Sequence, residues 1–343
     1  MPLMSREANL LNVTPIRRAL VPGVAALAML LTACGGDAEG DDNDNGGSGA
    51  SGDYSLDTSV EGEVAIDGSS TVYPMTTAAQ ELMTADVSSI QVTVGQSGTG
   101  GGFEVFCTGA TDISDASRPI KDDEEVPVCE ENGVEYTELL VATDALTVAV
   151  NPDLGIDCLT VDQLIALFGP KSKATNWQDI DPSFPDEAIT GFIPGTDSGT
   201  YDYMASEVVD PDAEEPALRS DFEASEDDNV LVNGVSSTPG AVGFFGYTYY
   251  EENTDKLKAL EIDGGGGCVA PSVETAQDGS YTPLARPLFI YVNNASYNDN
   301  EAVAEFTDYY IANLATIAAG AAFIPLNEDD YAATQDALAG IGG

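Results

Sequence analysis

Residues 139–150 read Leu-Leu-Val-Ala-Thr-Asp-Ala-Leu-Thr-Val-Ala-Val, a β-rich run about twice the length of an ordinary strand. Shorter strand-like runs surround it at residues 63–66, 90–94, 241–247 and 288–292. Helix-like stretches fall between them, at 73–84, 103–107, 161–168, 201–208 and 302–317. This alternation argues for α/β architecture with mainly parallel sheets. Polar, glycine-rich segments lie on both sides of the long run, which suits two domains facing each other across a cleft. Ligands in such sheets collect outside the carboxyl ends of the strands.

Three of these segments each head a helix-like stretch. They are Asp67-Gly68-Ser69-Ser70-Thr71, Ser97-Gly98-Thr99-Gly100-Gly101-Gly102 and Thr196-Asp197-Ser198-Gly199-Thr200. A helix start exposes unpaired backbone N–H groups and the positive end of the helix dipole, so each is a candidate seat for an anion. Any one of them also fits an ordinary capped turn. Together they could surround a small tetrahedral anion with neutral donors. Arg118, in Asp115-Ala116-Ser117-Arg118-Pro119, could add a bidentate guanidinium. The glycine-rich loops of nucleotide enzymes do not match, because none of the three segments forms Gly-Lys-Ser/Thr or G-x-G-x-x-G.

The 343 residues suffice for two domains, each with its own core. At the N-terminus, Arg17 and Arg18 precede an apolar run over 19–31, followed by Leu31-Thr32-Ala33-Cys34. This is the pattern of a secretory signal, and the run is too short for an ordinary membrane span. The cysteine after small residues resembles a lipoprotein cleavage site, so Cys34 is expected to carry lipid after removal of 1–33. Residues 34–60, rich in Gly, Asp, Asn and Ser, read as a flexible acidic tether.

Without residues 1–33 the chain keeps eight Lys/Arg against 58 Asp/Glu, a net charge near −50. Nucleic acid is excluded as a partner for want of cations. Charge of this size keeps a protein hydrated where salt screens it, and reads as adaptation to a salty medium. Four cysteines remain after Cys34, and pairing Cys107 with Cys129 and Cys158 with Cys268 keeps each bridge within one proposed domain. Zinc is not expected, since the chain has no histidine and no C-x-x-C. A histidine-based hydrolase is excluded on the same count, and no G-x-S-x-G elbow is present. No cofactor is expected.

Several stretches resemble the phosphate-binding lipoproteins of Pst-type ABC importers, in the family's order. They are IDGSSTVYP (66–74), SGTGGGFEVFCTGATDISDASRPIK (97–121), DALTVAVNP (144–152), GTDSGTYDY (195–203), GAVGFFGY (240–247) and RPLFIYV (286–292). The resemblance implies a two-domain periplasmic-binding-protein fold, type II-like, with a hinge and an interdomain cleft that takes dehydrated inorganic phosphate. It also implies a monomer that delivers phosphate to membrane permease subunits. Such a protein would work outside the cytoplasm, in a periplasm or on the outer face of the cell membrane. Carried over by position, Ser70 and Thr71 match the first phosphate loop and Thr99 the second. Arg118 matches the binding segment, and Ser198, Gly199 and Thr200 match the third loop. Some family members place an arginine ahead of the third loop; here Phe192-Ile193-Pro194-Gly195 has none, leaving Arg118 as the one expected charge partner. The first domain is expected over 61–143 with 287–343, and the second over 144–286.

Phosphate near neutral pH keeps a proton and sulfate does not, so a carboxylate facing the anion would favour phosphate. Asp197 is the expected acceptor, with Asp67 and Asp115 in reserve. Two other readings fit the same residues: a binder of sulfate, molybdate or tungstate, and a surface adhesin whose loops are plain turns.

Overall fold

The computed structural model describes residues 54, 56–211, 213 and 215–341. The expected signal, Cys34 and the tether as far as 53 lie outside the described residues. Residues 56–60, expected as the end of the tether, are instead docked. Leu56 and Val60 pack against a hydrophobic core, and the Asp57 amide donates to Glu305 at 2.8 Å. Two apolar side chains at the end of a polar stretch are enough to fix its last turn.

The strands in chain order are β1 (Gly62–Gly68), β2 (Ile90–Val94), β3 (Ile113–Ala116), β4 (Tyr136–Val150), β5 (Cys158–Thr160), β6 (Thr190–Pro194), β7 (Glu223–Ser225), β8 (Ala241–Gly246), β9 (Lys258–Ala259), β10 (Glu261–Asp263), β11 (Cys268–Val269) and β12 (Ala285–Asn293). The main sheet has the order β2-β1-β3-β12-β4-β8-β6-β7, with β9 beside β4; β11-β10-β5 form a small second sheet. The expectation of mainly parallel pairing holds only toward the two ends. There β1 is parallel to β2 and β3, and β6 to β7 and β8. In the middle, β12 pairs antiparallel with β3 and β4, and β4 antiparallel with β8.

The long run explains that arrangement. Leu139, Val141 and Ala142 of β4 lie in one core, with Val64, Met75, Leu288 and Phe306. Further along the same strand, Leu146, Val148 and Val150 lie in another core, with Trp177, Ile193, Phe244 and Tyr281. β12 makes the return crossing, with Ala285 packed on the second core and Leu288, Ile290 and Val292 inside the first. Two α/β lobes are thus joined by a pair of antiparallel crossing strands. The polar Thr143-Asp144 step falls where β4 leaves one core for the other.

Helix Val161–Phe168 matches the expected range and is fixed by a capping box between Thr160 and Gln163. Helix Gly98–Phe106 starts five residues ahead of the expected Phe103, inside the glycine cluster. Packing overrides glycine's low helix propensity here: a Cβ on Gly102 would lie 2.5 Å from Gly68 Cα, so only glycine lets this helix approach β1. The stretch expected as one helix over 201–208 is a short helix, Gly199–Tyr203, running into a π-helical segment, Met204–Val209. That expected over 302–317 is two helices, Glu301–Ala312 and Leu314–Gly320. Both expected disulfides are formed, closing sequence separations of 22 and 110 residues. Among the described residues no helix is long and apolar enough to cross a membrane.

Candidate functional site

A cleft of about 240 Å³ opens where the crossing strands pass between the lobes. Its first wall comes from the first two glycine-rich segments and the end of β3. The Ser69 amide donates to the Asp115 carbonyl at 2.9 Å, and the Thr71 amide donates to Ser69 Oγ at 3.2 Å, which coils the first loop. Asp67 Oδ1 accepts from the Gly68 amide at 2.8 Å and the Ser97 amide at 2.9 Å, locking the first loop to the second. Thr99 Oγ1 accepts the Ser117 amide at 3.2 Å and lies 3.0 Å from Ser117 Oγ. Ser70, Thr71, Thr99 and Arg118, all expected in the site, line this wall together with Ser69, Gly100 and Ser117.

The third segment is placed differently. Ser198 Oγ accepts the Thr200 amide at 3.2 Å, so one of its N–H groups is already used in capping. Asp197 is exposed and its amide donates to Glu226 at 3.3 Å. Asp197, Ser198, Gly199 and Thr200 do not line the cleft. Gly199 does touch the first wall: a Cβ there would lie 3.1 Å from Thr71 Oγ1. The second wall comes instead from the next two turns, as Asp202, Tyr203, Ser206 and Glu207. Asp202 and Glu207 are open to solvent. Partial burial draws the Asp202 carboxyl above its ordinary range, and the positive charge of Arg286 opposes this.

Neither reserve carboxylate faces the cleft as an acceptor. Asp67 is spent on backbone amides. Asp115 is buried behind the first wall, where Thr76 donates to it at 2.9 Å. Burial pushes its carboxyl up to about 8; the Thr76 bond lowers it and the charge of Asp67 raises it further.

Arg118, the one charge partner expected, is already engaged. It makes a bidentate pair with Glu125, NH2 to Oε1 at 2.7 Å and NH1 to Oε2 at 2.9 Å, and NH1 also reaches the Pro119 carbonyl at 3.0 Å. Bonding to Glu125 raises the guanidinium's pKa, against the effect of burial.

The charged group missed by sequence reasoning is Arg286, at the start of β12. It lies opposite Asp144 in the β4–β12 register and donates from Nε to Asp144 at 3.2 Å. Its NH2 donates to Thr71 Oγ1 at 2.8 Å, and its guanidinium lies 3.7 Å over the Tyr203 ring. Burial raises the Asp144 carboxyl, countered by Arg286. Arg286 opens the RPLFIYV stretch, and its position as one of only eight cations after Cys34 was the available signal.

Two lobes, two crossing strands and a small donor-lined cleft at the passage define a two-lobed ligand-capture protein. The PBP superfamily domain matches residues 53–313. The chain is 46% identical over 276 residues to Protein SphX of Synechococcus elongatus, covering 79% of this chain and 80% of that protein. It is 38% identical over 315 residues to the phosphate-binding protein PstS of Staphylococcus saprophyticus, covering 91% and 90% respectively. The crystal structure of a possible phosphate binding protein from Planctomyces limnophilus superposes with a TM-score of 0.78 at 38% identity, covering 82% of this chain and 99% of that one. The chain therefore belongs to the PBP superfamily and, within it, to the family of the PstS phosphate-binding proteins.

Proposed function

We propose that this protein captures inorganic phosphate in the cleft between its lobes and delivers it to the membrane permease of an ABC importer. The carrying observation is the cleft itself. At about 240 Å³ it falls below the size of sites for drug-sized organic ligands. One wall is mostly hydroxyls and amides, two arginines are part of the lining, and carboxylates stand opposite. PstS proteins that share over a third of its residues are phosphate binders by name.

Short-range oriented donors outweigh a screened global field, so a chain with a formal charge of −48 can hold an anion in such a cleft. Ser70, Thr71 and Thr99 are the proposed direct donors. The loop Ser198-Gly199-Thr200 acts by closing against Thr71. The proton of the bound phosphate is accepted by Asp202, which lines the cleft, in place of Asp197, which does not. The lobes divide near residues 143–144 and 286–287. The protein works outside the cytoplasm as a monomer, held to the membrane through lipid on Cys34, and its acidic surface suits a salty medium.

Titration calorimetry of phosphate into the purified chain, with sulfate, molybdate and arsenate alongside, tests the central reading. Phosphate is expected to bind far more tightly than sulfate or molybdate. Tighter binding of either of these would reassign the ligand, and no binding of any would leave the loops as plain turns.

A further inference from the structure

Two arginines line the cleft, and they differ in what is left of their bonding capacity. Arg118 meets both oxygens of Glu125, which also accepts the Lys121 amide at 2.8 Å. Its charge is matched and its donors are largely used. Arg286 offers one N–H to Asp144 and one to Thr71, and its NH1 group has no partner among the described residues. Its side chain is 12% exposed and Asp144's is 5% exposed, so water does little to screen the charge.

Thr71 adds a directional argument. Its hydroxyl oxygen accepts from Arg286, so its own hydrogen is free to donate elsewhere, and Thr71 lines the cleft. The guanidinium and the threonine thus form a paired donor edge. Tyr203 carries the same arginine across to the second lobe: the ring lies under the guanidinium, and its hydroxyl donates to the Pro283 carbonyl at 2.6 Å. One side chain, on a crossing strand, touches the first lobe's loop and the second lobe's helix together.

We infer that Arg286 is the residue that pairs with the anion's charge and couples its binding to closure of the lobes. This rests on the phosphate reading above. Filling the free edge of the guanidinium fixes its plane, and that plane is the surface on which Tyr203 packs. Lysine would keep the charge but has no planar face to stack and no second edge to donate.

The test is phosphate titration of the intact chain with Arg286→Met and Arg286→Lys, at pH 6 and pH 8. Because removing the arginine strands a buried Asp144, the double variant Arg286→Met/Asp144→Asn keeps the test valid if the single one unfolds. Circular dichroism checks the fold of each. The methionine variants are expected to bind more than 100-fold more weakly and the lysine variant more than 10-fold. Wild-type affinity is expected to rise from pH 6 to pH 8 as phosphate becomes doubly charged, and this rise is expected to shrink in the methionine variants. Small-angle scattering is expected to show phosphate-induced compaction in the wild type and its loss in the lysine variant. Folded methionine variants within threefold of wild type, or a lysine variant that still compacts, would overturn the inference. Absence of phosphate binding by the wild type would instead overturn the phosphate reading.

Discussion

The two walls of the cleft are built on opposite plans. The first is buried and cross-braced: Ser69 is 2% exposed and Thr71 7%, and its loops are bonded to one another and to β3 before any ligand arrives. The second is the short helix that carries Asp202 and the π-helical segment after it that carries Glu207, both acids exposed, with Ser206 Oγ bonded back to the Asp202 carbonyl at 2.7 Å. A preformed donor wall spares the anion the cost of ordering its own site. On the reading proposed above, the exposed acidic wall supplies what donors cannot, an acceptor for a proton the ligand keeps. That reading assigns affinity mainly to the first wall and discrimination to the second.

The harshest way to break that division is to unpack the first wall. A Cβ on Gly102 would meet backbone, Gly68 Cα at 2.5 Å and the Asp67 carbonyl at 3.1 Å, and backbone cannot swing aside. Gly102→Val is expected to cost about 2–3 kcal/mol of stability, in the upper range for overpacking, and to weaken phosphate binding at least 100-fold. Gly266→Ala, whose added Cβ would meet open space in the second lobe, is expected to change neither. Thermal unfolding and calorimetry on the two variants make the comparison; equal effects would mean that the first wall is not held by this contact.

Asp115 tests what lies behind that wall. Its Oδ2 is buried without a partner among the described residues, and burial holds its carboxyl at about 8 in the folded protein against 3.8 for the free side chain. The folded state therefore keeps a proton that the unfolded chain has lost between about pH 4 and 8. Stability falls as pH rises through that window, by up to about 1.4 kcal/mol per pH unit, and levels off above it. Asp115→Asn cannot ionise, so its stability should fall less: from pH 6 to pH 8 the wild type is expected to lose about 2 kcal/mol more than the variant. Denaturant midpoints at pH 6, 7 and 8 measure this. Parallel curves would show that no neutral carboxyl sits beneath the loop.

For the second wall the readout is selectivity. Asp202→Asn exchanges the proposed carboxylate acceptor for an uncharged amide whose NH2 can also donate to sulfate, so the preference for phosphate over sulfate is expected to drop about tenfold, in the range of one hydrogen bond to a charged group. Asp197→Asn is expected to shift that ratio less than twofold, because Asp197 is exposed and outside the lining. Competition titrations at one ionic strength separate the two; the opposite ranking would return the proton acceptor to the third loop.

Much of this was legible in the chain because it is local. Strand Ile90–Val94 and helix Val161–Phe168 fall where their apolar runs and caps place them, and the first two loops sit at the site as their glycines and hydroxyls suggested. The rest depended on distance. Arg286 draws its role from Asp144, 142 positions away, and from Thr71, 215 positions away. Asp197 illustrates the converse. It neighbours Ser198 in sequence, but the turn that caps Thr200 leaves its side chain exposed beside Glu226. The glycine cluster read as loop because glycine's helix propensity is poor, and only the close approach to β1 reverses that reading.

The mildest effect is expected at Arg118, and it bears most directly on whether the first wall is preformed. If the wall is complete before ligand arrives, the Arg118–Glu125 pair at 2.7 Å is a brace, and the anion finds Arg118 already committed. Arg118→Ala should then weaken phosphate binding less than tenfold, far less than the loss at Arg286. Glu125→Gln should leave affinity the same or slightly higher, since it releases a cation toward the cleft without removing a donor. A loss above 100-fold in Arg118→Ala would mean the guanidinium leaves Glu125 for the anion. In that case Glu125→Gln should tighten binding sharply, because the competing carboxylate would be gone, and the first wall would have to reorganise on binding. Calorimetry on the two variants together decides between a braced wall and an exchanging one.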